Sequence, residues 1–152
     1  MVFKWYIKAS IHVSLCLLAL VWFTGLVFDT AVPIAYCCAL FFGSVAGYNV
    51  IKYGLEPRHS PKRLLTGYPL LKLISIVSLL LAGYFLMLLP REIWVFFFAA
   101  SLITALYAVP LKPGGANLRS YGVLKVILVA LVWTILSVWA PLWGASEVIG
   151  WD

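Results

Sequence analysis

Apolar residues along this chain come in long unbroken runs, with the polar positions gathered between them. Five runs stand out: Ser10–Phe28, Ala31–Ile51, Pro69–Leu89, Ile93–Leu111 and Val123–Trp143. Each approaches the roughly 20 residues that a helix needs to cross a hydrocarbon core about 30 Å thick. None alternates apolar with polar positions as a membrane barrel strand must, so the runs predict helices. Pro33 fits the first turn of the second run, Pro69 opens the third, and Pro90, Pro110 and Pro141 fall at or near run ends. Those are the places where proline interrupts a helix least. The pattern predicts an all-α integral membrane protein, a single transmembrane domain over 1–152 with about five helices in an antiparallel bundle.

The polar gaps carry charge unequally. Of the 11 Lys and Arg residues, all but Arg91 lie in or beside alternate gaps. Lys4 and Lys8 precede the first run; Lys52, Arg58, Lys62, Arg63 and Lys72 lie in or beside the gap between the second and third runs; Lys112, Arg119 and Lys125 mark the gap between the fourth and fifth. The other gaps hold Asp29, or Arg91 beside Glu92, and the tail holds Glu147 and Asp152. Positive charge on alternate loops predicts a cytoplasmic N-terminus and a multi-pass protein of the cell membrane. Tyrosines near the basic loops and Trp94, Trp139 and Trp143 near the opposite ends fit rings seated at the two interfaces. The first run is too long for an ordinary signal-peptide core and no small-x-small site follows it, so it is expected to be a retained helix.

A 64% hydrophobic and 11% charged composition lies outside the range of soluble domains. The net charge of +6 is confined to membrane-facing loops, which points to anionic headgroups and orientation instead of nucleic acid. Cys16, Cys37 and Cys38 lie inside apolar runs without metal-ligand spacing and read as small buried residues.

Candidate chemistry gathers at the basic face. Gly43 and Gly47 have the small-xxx-small spacing that lets helix backbones approach closely. Asn49 places an amide near the end of the second run, which must find either an interhelical hydrogen bond or a ligand. Beyond it Lys52, Arg58, Lys62 and Arg63 form one basic loop, and Tyr107, Lys112, Arg119 and Lys125 flank the other. Two such loops either orient the chain by charge alone or clamp a phosphate or diphosphate. No Asp or Glu lies inside a run, which removes the usual machinery of ion-coupled transport. Patterns for nucleophilic catalysis or zinc are absent, as are paired carboxylates for Mg²⁺.

Two stretches resemble the UbiA-type intramembrane prenyltransferases. One is Phe41–Gly54, where Asn49 ends a helix before a basic loop; the other is Leu106-Tyr-Ala-Val-Pro-Leu-Lys-Pro113, followed by Asn117, Arg119 and Lys125. The resemblance covers the N-terminal half of that family only. It implies a helical bundle that holds an isoprenoid diphosphate at its cytoplasmic end. Members use Mg²⁺ on two aspartate-rich motifs. Here Val50 and Tyr53 stand at the aspartate positions of the first motif, and the second motif falls in the half this chain does not resemble.

The resemblance therefore implies a chain inactive by itself, with no catalytic residue and no metal ligand of its own, that binds an isoprenoid lipid. Mg²⁺ enters only if a partner supplies carboxylates. Two alternatives stand beside this reading. One is a small structural or interaction protein whose Gly43/Gly47 face pairs with a second multi-spanning chain; the other is one part of an active split prenyltransferase. The partners expected are the lipid bilayer, an isoprenoid lipid or a second membrane chain, and no nucleic acid.

Overall fold

A computed structural model of the chain describes residues 6–54, 69–108 and 122–145. These residues are helical apart from short turns, and no strand occurs among them. Helix α1 covers Ile11–Val27 and α2 covers Ile34–Asn49, continuing into a π-helical turn at Val50–Gly54. Helices α3 (Pro69–Met87) and α4 (Arg91–Ala108) follow. The last helical stretch comprises α5 (Gly122–Thr134), a π-turn at Ile135–Trp139 and a short α6 (Ala140–Gly144). Three stretches are long and apolar enough to cross a membrane: Ile34–Tyr53, Pro69–Met87 and Gly122–Gly144. Ile11–Val27 is a shorter apolar helix.

Local chemistry explains several boundaries. Pro33, in extended conformation, caps α2, and its carbonyl accepts from the N–H groups of Tyr36 and Cys37. Its ring fixes φ near the value a helix entry needs, and its missing N–H would have no partner there. At the end of α1, Asp29 takes a left-handed conformation (φ 48°) while the Thr30 N–H donates back to the Gly25 carbonyl at 2.9 Å. That is the six-to-one bond of a Schellman cap. The return is so close that a Cβ on Gly25 would lie 2.9 Å from the Thr30 carbonyl oxygen, so glycine is required there.

The second π-turn lies directly before Pro141, which sits in the first turn of α6. In an unbroken α-helix the Pro141 ring would collide with the Ser137 carbonyl and offer it no N–H. Widening the preceding turn, with the Ala140 N–H reaching Ile135, relieves that conflict and keeps the helix continuous.

The chain divides into two compact units, Met1–Ala19 with Pro33–Leu89 and Leu20–Val32 with Pro90–Asp152. In the first, α2 packs along α3. The Phe42 and Phe85 rings stack at 6.1 Å with planes 6° apart, and Gly43 faces the Ala82 methyl, to which a Cβ at 43 would stand at 3.8 Å. The buried side of α2 carries Tyr36, Ala39, Leu40, Val45, Ala46 and Asn49. In the second unit α4 meets α5, the π-turn and α6, with Ile93, Ala100, Leu136 and Ala140 buried and Phe96 against Trp143 at 6.1 Å.

Much apolar surface is exposed. Leu79, Leu80, Phe98, Val123 and Val126 all face outward, and only 11% of the apolar window of α3 is buried. In water that surface would be costly; against lipid tails it is the expected finish of a helix. Cys16 belongs to this surface: it is exposed on α1, a correction to the expectation of three buried thiols, because the helix surface it shares with Leu20 is left uncovered. Cys37 and Cys38 are half-buried, and all three thiols are free.

Candidate functional site

The polar side chains inside the helices separate into two groups by how they satisfy their hydrogen bonds. Hydroxyls are served by their own helix. Ser14 donates to the Ser10 carbonyl, Ser44 to Phe41, Ser75 to Leu71, Thr134 to Ala130 and Ser137 to Trp133, at 2.7 to 3.4 Å. This back-bonding hides a hydroxyl from an apolar surrounding without needing another element.

Asn49 has no such outlet. It is 2% exposed at the end of α2, and among the described residues neither its Nδ2 nor its Oδ1 has a hydrogen-bond partner. An amide left this way costs about 1–3 kcal/mol for each unsatisfied group, and more in an apolar medium. Both atoms are orphaned, so the conclusion does not depend on which of them is nitrogen.

The chain immediately after Asn49 changes from α- to π-helical geometry, a widening that recurs at functional positions. This turn holds the N-terminal segment. The Tyr53 hydroxyl donates to the Lys8 carbonyl at 2.9 Å, and Lys52 Nζ donates to the Ile7 carbonyl at 3.4 Å. Lys52 Nζ also lies 5.3 Å from the Tyr53 ring centre, within cation–π range. An ammonium has three N–H donors, so one long bond to Ile7 leaves Lys52 able to meet an anion as well.

The residues that accept these bonds precede a sharp break. Ser10 is buried and left-handed (φ 58°), and α1 starts at the next residue. Just inside α1, His12 has an unpartnered buried Nδ1 and a ring 5.8 Å from that of Tyr6. The first unit thus contains both imidazole and amide nitrogens without partners among the described residues.

Among the described residues, the two positions where the resemblance implies aspartates carry no ligand suited to Mg²⁺. Val50, at one aspartate position of the resemblance, is an apolar side chain 51% exposed. Tyr53, at the other, uses its oxygen as a donor to a backbone carbonyl. The described residues contain no group of three His, Cys, Asp or Glu side chains able to share a metal ion. Neutral amide and phenol oxygens are weak substitutes for the carboxylates that Mg²⁺ selects.

Of the other predicted site residues, Arg58, Lys62, Arg63, Lys112 and Arg119 lie outside the described residues. Tyr107 falls in the last turn of α4 and Lys125 in the first turn of α5, both in the second unit. Gly43 lines the α2–α3 contact within the chain, while Gly47 has no atom within 4 Å of where a Cβ would stand. The bond that Tyr53 makes is not readable from the sequence, since its partner lies 45 positions away. Near the start of α5 a shallow recess is lined, among the described residues, by Gly122, Val123, Leu124 and Ile127.

No family model, no curated protein and no solved structure matches this chain.

Proposed function

We propose that the chain is a multi-pass protein of the cell membrane, with five spans and a cytoplasmic N-terminus, that binds an isoprenoid lipid by its polar head. The observation that carries this reading is the buried Asn49 amide, without a partner among the described residues, one turn before Lys52. Lysine supplies a compact positive charge for a phosphate, and the amide, three residues earlier in the chain, supplies a separate polar position for the head. Apolar surface on the same helices suits an isoprenoid tail.

In this reading the chain binds and does not catalyse by itself. Ionisation of a prenyl diphosphate needs its negative charge neutralised as it leaves, and a single lysine does not replace two bridging metal ions. The test is direct binding of farnesyl diphosphate to the detergent-purified chain and to the Asn49→Ala, Lys52→Ala double variant. Binding lost in the variant supports the assignment. Unchanged binding contradicts it.

A further inference from the structure

The orphaned atoms of Asn49 specify more about the head than its charge. Nδ2 needs an acceptor and Oδ1 needs a donor, and neither is met among the described residues. A fully ionised diphosphate presents acceptor oxygens alone. It can satisfy Nδ2, and it leaves Oδ1 buried without a partner and beside negative charge. A hydroxyl does both, donating its proton to Oδ1 and accepting from Nδ2. Such a group is also the cheaper one to bring to an apolar position, since it carries no net charge to desolvate.

Resting on the lipid-binding reading above, we infer that the group seated against Asn49 is a hydroxyl, and that the site takes an isoprenoid alcohol as a ligand in its own right. The local structure favours a neutral head. Asn49 closes the buried side of α2, after Val45 and Ala46, and no charged side chain shares that buried side. Lys52, the nearest cation along the chain, is three residues on, within the π-turn, and its bond to Ile7 is exposed. The buried position and the charged position are therefore separate: an alcohol needs the first alone, and a phosphate ester draws on the second.

Orphaned polar atoms punish a ligand that cannot complete them. A site built around a hydroxyl discriminates strongly against an analogue lacking the proton, because the buried acceptor is then left bare. Farnesol and its methyl ether differ in that proton while sharing the tail and the ether-type oxygen lone pairs.

The experiment measures the melting temperature of the detergent-purified chain against increasing farnesol, farnesyl methyl ether and farnesyl diphosphate. It is repeated with Asn49→Leu, which removes both orphaned atoms at similar volume. Farnesol is expected to raise the wild-type melting temperature with an apparent Kd at least about tenfold below that of the ether. In Asn49→Leu the two should become equal. Equal affinity of alcohol and ether for the wild-type chain overturns the inference, and so does a preference that survives in Asn49→Leu. If the diphosphate alone stabilises the chain, lipid binding stands and the hydroxyl assignment falls. If none of the three shifts the melting temperature, both fall together.

Discussion

The Tyr53 hydroxyl donates to the Lys8 carbonyl at 2.9 Å, tying the π-turn after α2 to the segment that leads into α1. This bond puts the phenol at a position where the family resemblance expects a metal-binding carboxylate. Tyr53→Phe removes the hydroxyl and keeps the ring, and should lower stability by about 0.5–1.5 kcal/mol in thermal or denaturant unfolding. Tyr53→Asp should lower it further and gain no stabilisation from Mg²⁺. A Mg²⁺-dependent rise in Tyr53→Asp would show that the neighbouring groups do form a metal site.

Asn49→Leu should behave in the opposite sense to an ordinary core polar substitution. Replacing an orphaned donor and acceptor by an apolar group of similar size removes a desolvation penalty and breaks no bond seen among the described residues. The ligand-free chain should gain stability on the order of 1–3 kcal/mol. Loss of stability would mean that the amide has a partner in the folded protein.

The cap of α1 gives a pair of opposite effects. Gly25→Ala forces a methyl to within 2.9 Å of the Thr30 oxygen and should destabilise by more than about 1 kcal/mol. Asp29→Gly relieves a left-handed residue and should stabilise by about 0.5–1 kcal/mol. Unfolding of the two variants, side by side in one detergent, checks both signs.

The helices were readable because lipid-exposed helices need a continuous apolar run, which leaves an unmistakable trace in composition. Pro33 and Pro69 lie at helix starts, as their missing N–H groups predict. Pro141 was less transparent: its place near a run end gave no hint of the π-turn it imposes on Ile135–Trp139. Asn49 stood out in the sequence as a costly amide, yet burial alone does not say whether a neighbouring helix satisfies it. That distinction required the surrounding atoms. The Tyr53–Lys8 bond was invisible because it joins residues 45 apart through a backbone carbonyl, which no residue type announces. For Gly43 and Gly47 the spacing was plain, but only the packing of α2 on α3 separates a glycine in contact from one in open space.

Charge asymmetry between loops makes the proposed orientation testable. Reporter fusions after Lys8, in the 55–68 segment and after residue 145 should place the first two in the cytoplasm and the third outside. A cytoplasmic reporter after residue 145 would contradict the five-span arrangement.

The proposed lipid-head site is tested most directly by the melting temperature of the purified chain with farnesyl diphosphate, in the presence of Mg²⁺ and in its absence with a chelator. A ligand that binds the folded state raises the transition in proportion to the logarithm of its concentration over Kd. Lysine needs no metal to hold a phosphate, so the predicted result is the same rise in both conditions. No rise in either condition would contradict the account, and a rise that vanishes with the chelator would contradict its metal-free site.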